Sequence, residues 1–224
     1  QKIKDQHSMD GEGLFPSAKL RKVCGLPTID FDQMRLHILT RLRSLLPENI
    51  LYHDVPHTLN VEKAAIRYAK LEGIRDEDLL LLRTAVLYHD VGFIHSQHDN
   101  EDFAMNMVEY MLPEFGYTPE QILIVRGIIE ATKSSVEPRN ILEEIMCDAD
   151  HDYLGRPDYY AIANKLRMEL AIFGETMSDP DWTQFQLNFL EDKHHYYTDT
   201  AQNIREIGKK ARIRELLKKQ QATK

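Results

Sequence analysis

The chain has 224 residues, 42% of them hydrophobic and 29% charged, which is enough apolar material to bury a substantial core as one domain. Its formal net charge of −8 argues against a nucleic acid duplex or an anionic membrane as the main partner. No apolar run approaches a membrane span, and two cysteines without CxxC spacing, Cys24 and Cys147, predict a reduced, cytoplasmic setting.

Residues 1–27 mix charge with Gly11, Gly13, Pro16 and Pro27 without a sustained period and read as a flexible N-terminal arm. From Thr28 the chain turns helical. Thr28 or Asp30 can cap a segment in which Met34, Ile38, Leu42 and Leu45 or Leu46 recur every three or four residues, and Pro47 marks its end. Val61, Ala64, Ala65, Tyr68 and Ala69 form the next apolar stripe, on a helix that begins near His57 and is closed by Gly73. A third helix runs from about 76 to 90, acidic in its first turn and apolar at Leu79, Leu82, Val86 and Leu87, with Gly92 just beyond it. Further helical stretches cover about 100–112, 119–131, 138–153, 157–173, 180–195 and 199–219. No alternating strand, repeat or dividing linker interrupts them, so the pattern predicts one all-α domain over residues 28–220.

His-Asp dipeptides occur at His53-Asp54, His89-Asp90, His98-Asp99 and His151-Asp152, so context has to choose among them. His53-Asp54 lies in a Pro-containing connection, where a turn or cap role is expected. His89-Asp90 ends an apolar helix, where a carboxylate is costly to bury unless something cationic compensates it. His57, His89, Asp90 and a later acid, Asp148 or Asp150, together make the ligand inventory of an open, catalytic metal site. Two imidazoles favour Mn, Fe, Co, Ni or Zn, with Mg as an alternative. Asp148 and Asp150 differ by roughly 200° around a helix, so only one of them can face the ion.

His57-Thr58 with Val61, then Ala85-Val86-Leu87-Tyr88-His89-Asp90-Val91-Gly92, then Asp148-Ala149-Asp150, resemble in order the three motifs of the HD-domain metal-dependent phosphohydrolase superfamily. The resemblance covers about residues 50–155 and implies a single HD-type helical bundle with additional C-terminal helices. It implies a divalent metal held by His57, His89, Asp90 and Asp150, the last chosen because the family pattern places Ala before the liganding Asp. It also implies hydrolysis of a phosphate ester, of a nucleotide or other small phosphorylated metabolite, by metal-activated water that Asp90 orients. Asp148 then becomes a supporting or solvent-facing acid.

Around that quartet, His98 is expected as a substrate contact or proton-transfer group. A second metal near His98 is the lesser expectation, because Ala131-Thr132-Lys133 stands where dinuclear relatives carry another histidine. Lys133 is expected to meet a phosphate or leaving oxygen, and Arg156 a substrate phosphate, with pairing to a nearby carboxylate as the rival role for Arg156. Trp182, Phe185, Leu187, Phe189 and Leu190 read as core or as a homo-oligomer face formed by the C-terminal helices, in preference to a base-stacking platform. The last helix reads as basic and amphipathic around Ile204, Ile207, Ala211 and Leu216. The alternative to an enzyme is a catalytically silent metal- and nucleotide-binding sensor or scaffold.

Overall fold

The computed structural model describes residues 28–222, so the arm expected over residues 1–27, with Cys24, lies outside the described residues. Among the described residues every regular element is helical, in the order α1 (Phe31–Leu45), α2 (Val55–Leu71), α3 (Asp76–Tyr88), α4 (Asn100–Met111), α5 (Pro119–Glu130), α6 (Ile141–Asp150), α7 (Tyr159–Ile172), α8 (Asp179–Asn188) and α9 (Asp199–Ala222). Short 3-10 turns at Val91–Ile94, Leu112–Phe115 and Asp152–Gly155 link them.

Local chemistry explains where these helices start. Asp30 caps α1 by accepting from the Gln33 amide, and Asp54 caps α2 by accepting from the His57 amide at 2.8 Å. Thr118 and Gln121 form a reciprocal capping box at α5, and Asn140 caps α6. The apolar stripes then bury as spaced: Met34, Ile38 and Leu42 on α1, and Val61, Ala65 and Tyr68 on α2, join one core with Leu82 and Val86 of α3. Within it α2 packs against both α3 and α6, and α3 against α5. A second apolar cluster, built on Tyr153, Tyr159, Trp182, Leu187, Leu190 and Leu216, gathers the C-terminal helices around Tyr52.

Two boundaries depart from the periodic reading. The stretch expected to be helical to 195 leaves the α-helix at Asn188, makes a wider turn at Phe189–Lys193, and is extended at His194. Just beyond it the amides of Tyr197 and Thr198 donate to the Asp148 carboxylate, each at 2.8 Å, instead of to carbonyls four residues back. Asp148 is therefore not solvent-facing; it is fully buried and ties α6 to the start of α9. The helix expected over 138–153 ends at Asp150 because His151 and the Asp152–Gly155 turn redirect the chain.

Helix α9 buries Leu216 and packs Ile204 against the core as its apolar pattern suggested, but its register turns Ile207 outward. Gly208 lies so close to the Asp152–Gly155 turn that a Cβ there would fall 2.1 Å from the Gly155 carbonyl oxygen. Arg205 closes the contact by donating to Asp152 at 2.7 and 3.1 Å, while Tyr68 Oη donates to the same carboxylate. With that register Lys209 is buried, donating to the His194 carbonyl at 2.5 Å, and Ile207 is 78% exposed.

Gly92 performs a similar service beside the site. A methyl group on its Cα would fall 2.1 Å from the Asn100 carbonyl oxygen, so only glycine lets the start of α4 approach the turn after Asp90. Gly92→Ala is expected to destabilise the fold by about 1–3 kcal/mol, the usual cost of overpacking. Urea denaturation checks this, and a midpoint equal to the parent's would mean that turn and helix can part without penalty.

Candidate metal centre

Three helices that meet in the first core bring the expected quartet together. His57 comes from the first turn of α2, His89 and Asp90 from the end of α3, and Asp150 is the last residue of α6. His89 keeps α-helical angles, but Asp90 at φ −102°, ψ 9° leaves the helix. Two successive residues on an intact helix would point roughly 100° apart. The break lets the His89 Nε2 and Asp90 Oδ2 atoms approach to 2.9 Å.

The ligand atoms converge. His57 Nε2 lies 3.3 Å from Asp90 Oδ2 and 3.1 Å from Asp150 Oδ1, and His89 Nε2 lies 3.6 Å from Asp150 Oδ1. One donor atom each from His57, His89 and Asp90 falls within a 4.8 Å group. His57 Nε2, His89 Nε2 and Asp90 Oδ2 are buried yet lack a hydrogen-bond partner of acceptable geometry. Buried polar atoms are rarely left so, and three aimed at one point are what a bound cation would satisfy. Two imidazoles and two carboxylates match a divalent transition metal in chemistry as well. His89 is also prepared for ligation: its Nδ1 lies 2.8 Å from the Val86 carbonyl, which assigns the proton to Nδ1 and frees Nε2.

Electrostatics point the same way. Burial by itself would lower the pKa of His57, but the carboxylates of Asp150 and Asp90 outweigh it and push the value up to about 9. His89 is raised likewise against its burial, chiefly by Asp90. Burial opposes ionisation of Asp90 and Asp150, yet the facing histidines hold both well below the usual carboxylate range. Without a cation, two protons on the imidazoles stand in for its charge.

The other expected site residues lie around this centre without joining it. His98 is exposed just before α4, and Asp99, in the left-handed region at φ +59°, occupies the cap position of that helix. Lys133 pairs with Asp102 on the first turn of α4 at 2.6 Å. Both flank the α4 N-terminus, whose Asn100 is buried with its Nδ2 3.5 Å from Asp90 Oδ1. Arg156 borders a small cleft of about 50 Å³ that it shares with Asp54, His57, Asp150 and Lys165. Its guanidinium makes two bonds to Asp158, at 2.9 and 2.5 Å, so the rival pairing role is realised here.

Two groups next to the metal centre escaped sequence reasoning. Glu169, buried on α7, accepts from the amides of Leu51, Tyr52 and His53 at 2.7, 2.7 and 3.2 Å, and contacts His53 Nδ1 at 2.5 Å. That clamp fixes the segment from which Tyr52 packs on the His57 ring at 4.8 Å and His53 stacks on Phe93 at 4.0 Å. Asp54 does serve as the expected cap, but His53 beside it lines the approach to Asp150. The only signal available in the sequence was the dipeptide itself, four residues before His57.

An all-helical bundle that gathers His57, His89-Asp90 and Asp150 at one point has the layout of an HD domain. Residues 54–152 match the HD domain family model, and that segment contains all four converging side chains. Solved structures extend the likeness beyond it. A predicted HD superfamily hydrolase from an uncultured Thermotogales bacterium is 19% identical, over 84% of this chain and 91% of that one, with a TM-score of 0.57. A Lactobacillus plantarum protein is 19% identical over 86% and 97%, with a TM-score of 0.64. Bacillus subtilis YpgQ in complex with ADP is 23% identical over 83% and 96%, with a TM-score of 0.55. At these identities the likeness is one of fold, and it includes the C-terminal helices. No curated protein matches the chain by sequence.

Proposed function

We propose that this protein is a metal-dependent phosphohydrolase that cleaves a phosphate ester of a small metabolite, with nucleotides as the leading class. The observation that carries the reading is the convergence of His57 Nε2, His89 Nε2 and Asp90 Oδ2, buried and unpartnered, beside the half-buried Asp150 carboxylate. Such a set would hold one divalent ion while leaving positions for water and substrate. When bound, the ion supplies Lewis acidity toward a phosphoryl oxygen and makes water nucleophilic at neutral pH.

The chain's own residues then divide the remaining work. Asp90, backed by Asn100, holds one carboxylate oxygen toward the centre and orients the attacking water. Arg156 and Lys165 border the cleft at Asp150, and a substrate phosphate would draw them from their present partners, Asp158 and Asp54, to offset its charge. Lys133, paired with Asp102 on α4, and His98, just before that helix, are assigned to meet a leaving oxygen as cation and proton-transfer group. The YpgQ complex with ADP supports placing nucleotides first among the substrates to try.

Purified protein dialysed against each of Mn, Co, Ni, Zn and Mg should release phosphate or a nucleoside product from a panel of nucleotides and phosphodiesters with at least one of these ions. Tight metal and nucleotide binding without turnover under every ion would replace the enzyme by the sensor reading. Failure to hold any of the ions would remove both.

A further inference from the structure

A second cavity opens from the metal centre toward the C-terminal helices, and nothing in the reading above uses it. Its volume is about 190 Å³ and its lining is shared between α7, α8 and the segment around Tyr52. For scale, a dry cavity of roughly 150 Å³ accommodates benzene. Aromatic side chains dominate the far wall: Tyr159, Trp182, Phe185 and Phe189, with Trp182 and Phe185 stacked at 5.3 Å and 16°. The near wall is Asp150 itself, so one carboxylate belongs both to the converging ligand set and to this cavity.

Polarity is distributed unevenly along it. Arg and Lys are absent from the residues lining it; the basic side chains border the separate small cleft on the other side of Asp150. The one amide in the far wall, Gln186, is held in place by its neighbours, its Oε1 accepting from Tyr159 Oη at 3.0 Å and its Nε2 donating to the Trp182 carbonyl at 3.2 Å. A phosphate would find no Arg or Lys counter-charge at that end, whereas a ring would find aromatic faces to stack on. Phe185, 39% exposed although large and apolar, is explained as the lip of this cavity.

We infer that this cavity receives the planar ring of the substrate, a nucleobase, and holds it by stacking and shape without selecting among bases by hydrogen bonds. The inference rests on the phosphohydrolase reading and deepens it: ring on the aromatic side of Asp150, phosphate on the other. It replaces the expectation that Trp182, Phe185 and Phe189 serve only as core or oligomer face.

Trp182 is the chain's single tryptophan, so its emission reports on the cavity directly. The test titrates adenosine, uridine and, as control, ribose into the full chain after metal removal by chelator. Saturable change with both nucleosides, at affinities within about tenfold of one another, and none with ribose, is the expected result. Phe185→Ala, at an exposed position that leaves the core intact, should weaken both by roughly tenfold or more while leaving Trp182 in place. The inference is overturned by no saturable response to either nucleoside, by a larger preference for one base, or by unchanged binding in Phe185→Ala. Because neither metal nor turnover enters the measurement, its failure is distinct from failure of the phosphohydrolase reading, which metal content and activity report.

Discussion

Replacing His89 or Asp90 by alanine should abolish metal retention and reduce turnover by well over 100-fold. Removing a residue that merely orients a metal ligand commonly costs about 10–100-fold, and these two are placed as ligands themselves. Both are buried at the end of α3, so circular dichroism must accompany the metal analysis to separate a lost site from a lost fold. A folded variant that keeps full metal content and activity would sink the assignment. Protons give a second, independent handle. His57 must be neutral to ligate, yet without a cation it keeps its proton up to about 9. Metal binding near neutral pH should therefore release protons, about two when His89, raised in the same way, is included. Apparent affinity should climb with pH from neutrality through about 9, where His57 loses its proton.

Stability of the metal-free protein should run the other way. The folded pKa of His57 is raised above its unfolded value, so its ion pairing contributes fully below about 6.5 and is lost as pH rises through about 9. The stabilisation gained on adding metal should consequently grow over that window while the metal-free baseline from this cluster declines. Calorimetry in two buffers of different ionisation heat counts the protons, and binding without proton release would contradict the arrangement.

What could be read in the sequence was whatever depends on neighbours in the chain or on residue type. Helix starts follow from Asp30, Asp54 and Thr118 because a cap bonds within three residues. The quartet was legible because His57, His89-Asp90 and Asp150 carry chemistry that an apolar helix does not otherwise tolerate. Asp148 and Asp150 were separable in direction by helical geometry alone, and they do face opposite partners, Thr198 and His57. The extended stretch between the wide turn at Phe189–Lys193 and α9 was not legible, because the Asp148 carboxylate that holds it at Thr198 lies 50 positions earlier. Nor were the burial of Lys209 and the exposure of Ile207 on α9, whose register Gly208 and Arg205 fix by what they meet at Gly155 and Asp152.

Glu169 is the plainest case of a site determinant that sequence patterning conceals, since a glutamate inside a helix ordinarily reads as solvated surface. Here it is 2% exposed and serves as acceptor for three successive amides 116 to 118 positions away. Glu169→Ala leaves those donors without an acceptor in a largely buried setting, and each such loss costs about 1–3 kcal/mol. A destabilisation of about 3 kcal/mol or more in urea is expected, together with weaker metal binding, because Tyr52 against His57 and the Asp54 cap follow directly from the clamped segment. Glu169→Gln retains an acceptor oxygen and should lose less. It should also change the acid limb: burial would raise the Glu169 pKa, but His53 and the amides outweigh burial and lower it. A carboxylate depressed in the folded state contributes above its unfolded pKa of about 4.5 and loses that contribution as pH falls through the folded value. The glutamine variant should therefore show a shallower decline of stability on acidification than the parent. If Glu169→Ala instead unfolds within about 0.5 kcal/mol of the parent, as an ordinary surface substitution would, the loop before α2 is held by something other than this carboxylate.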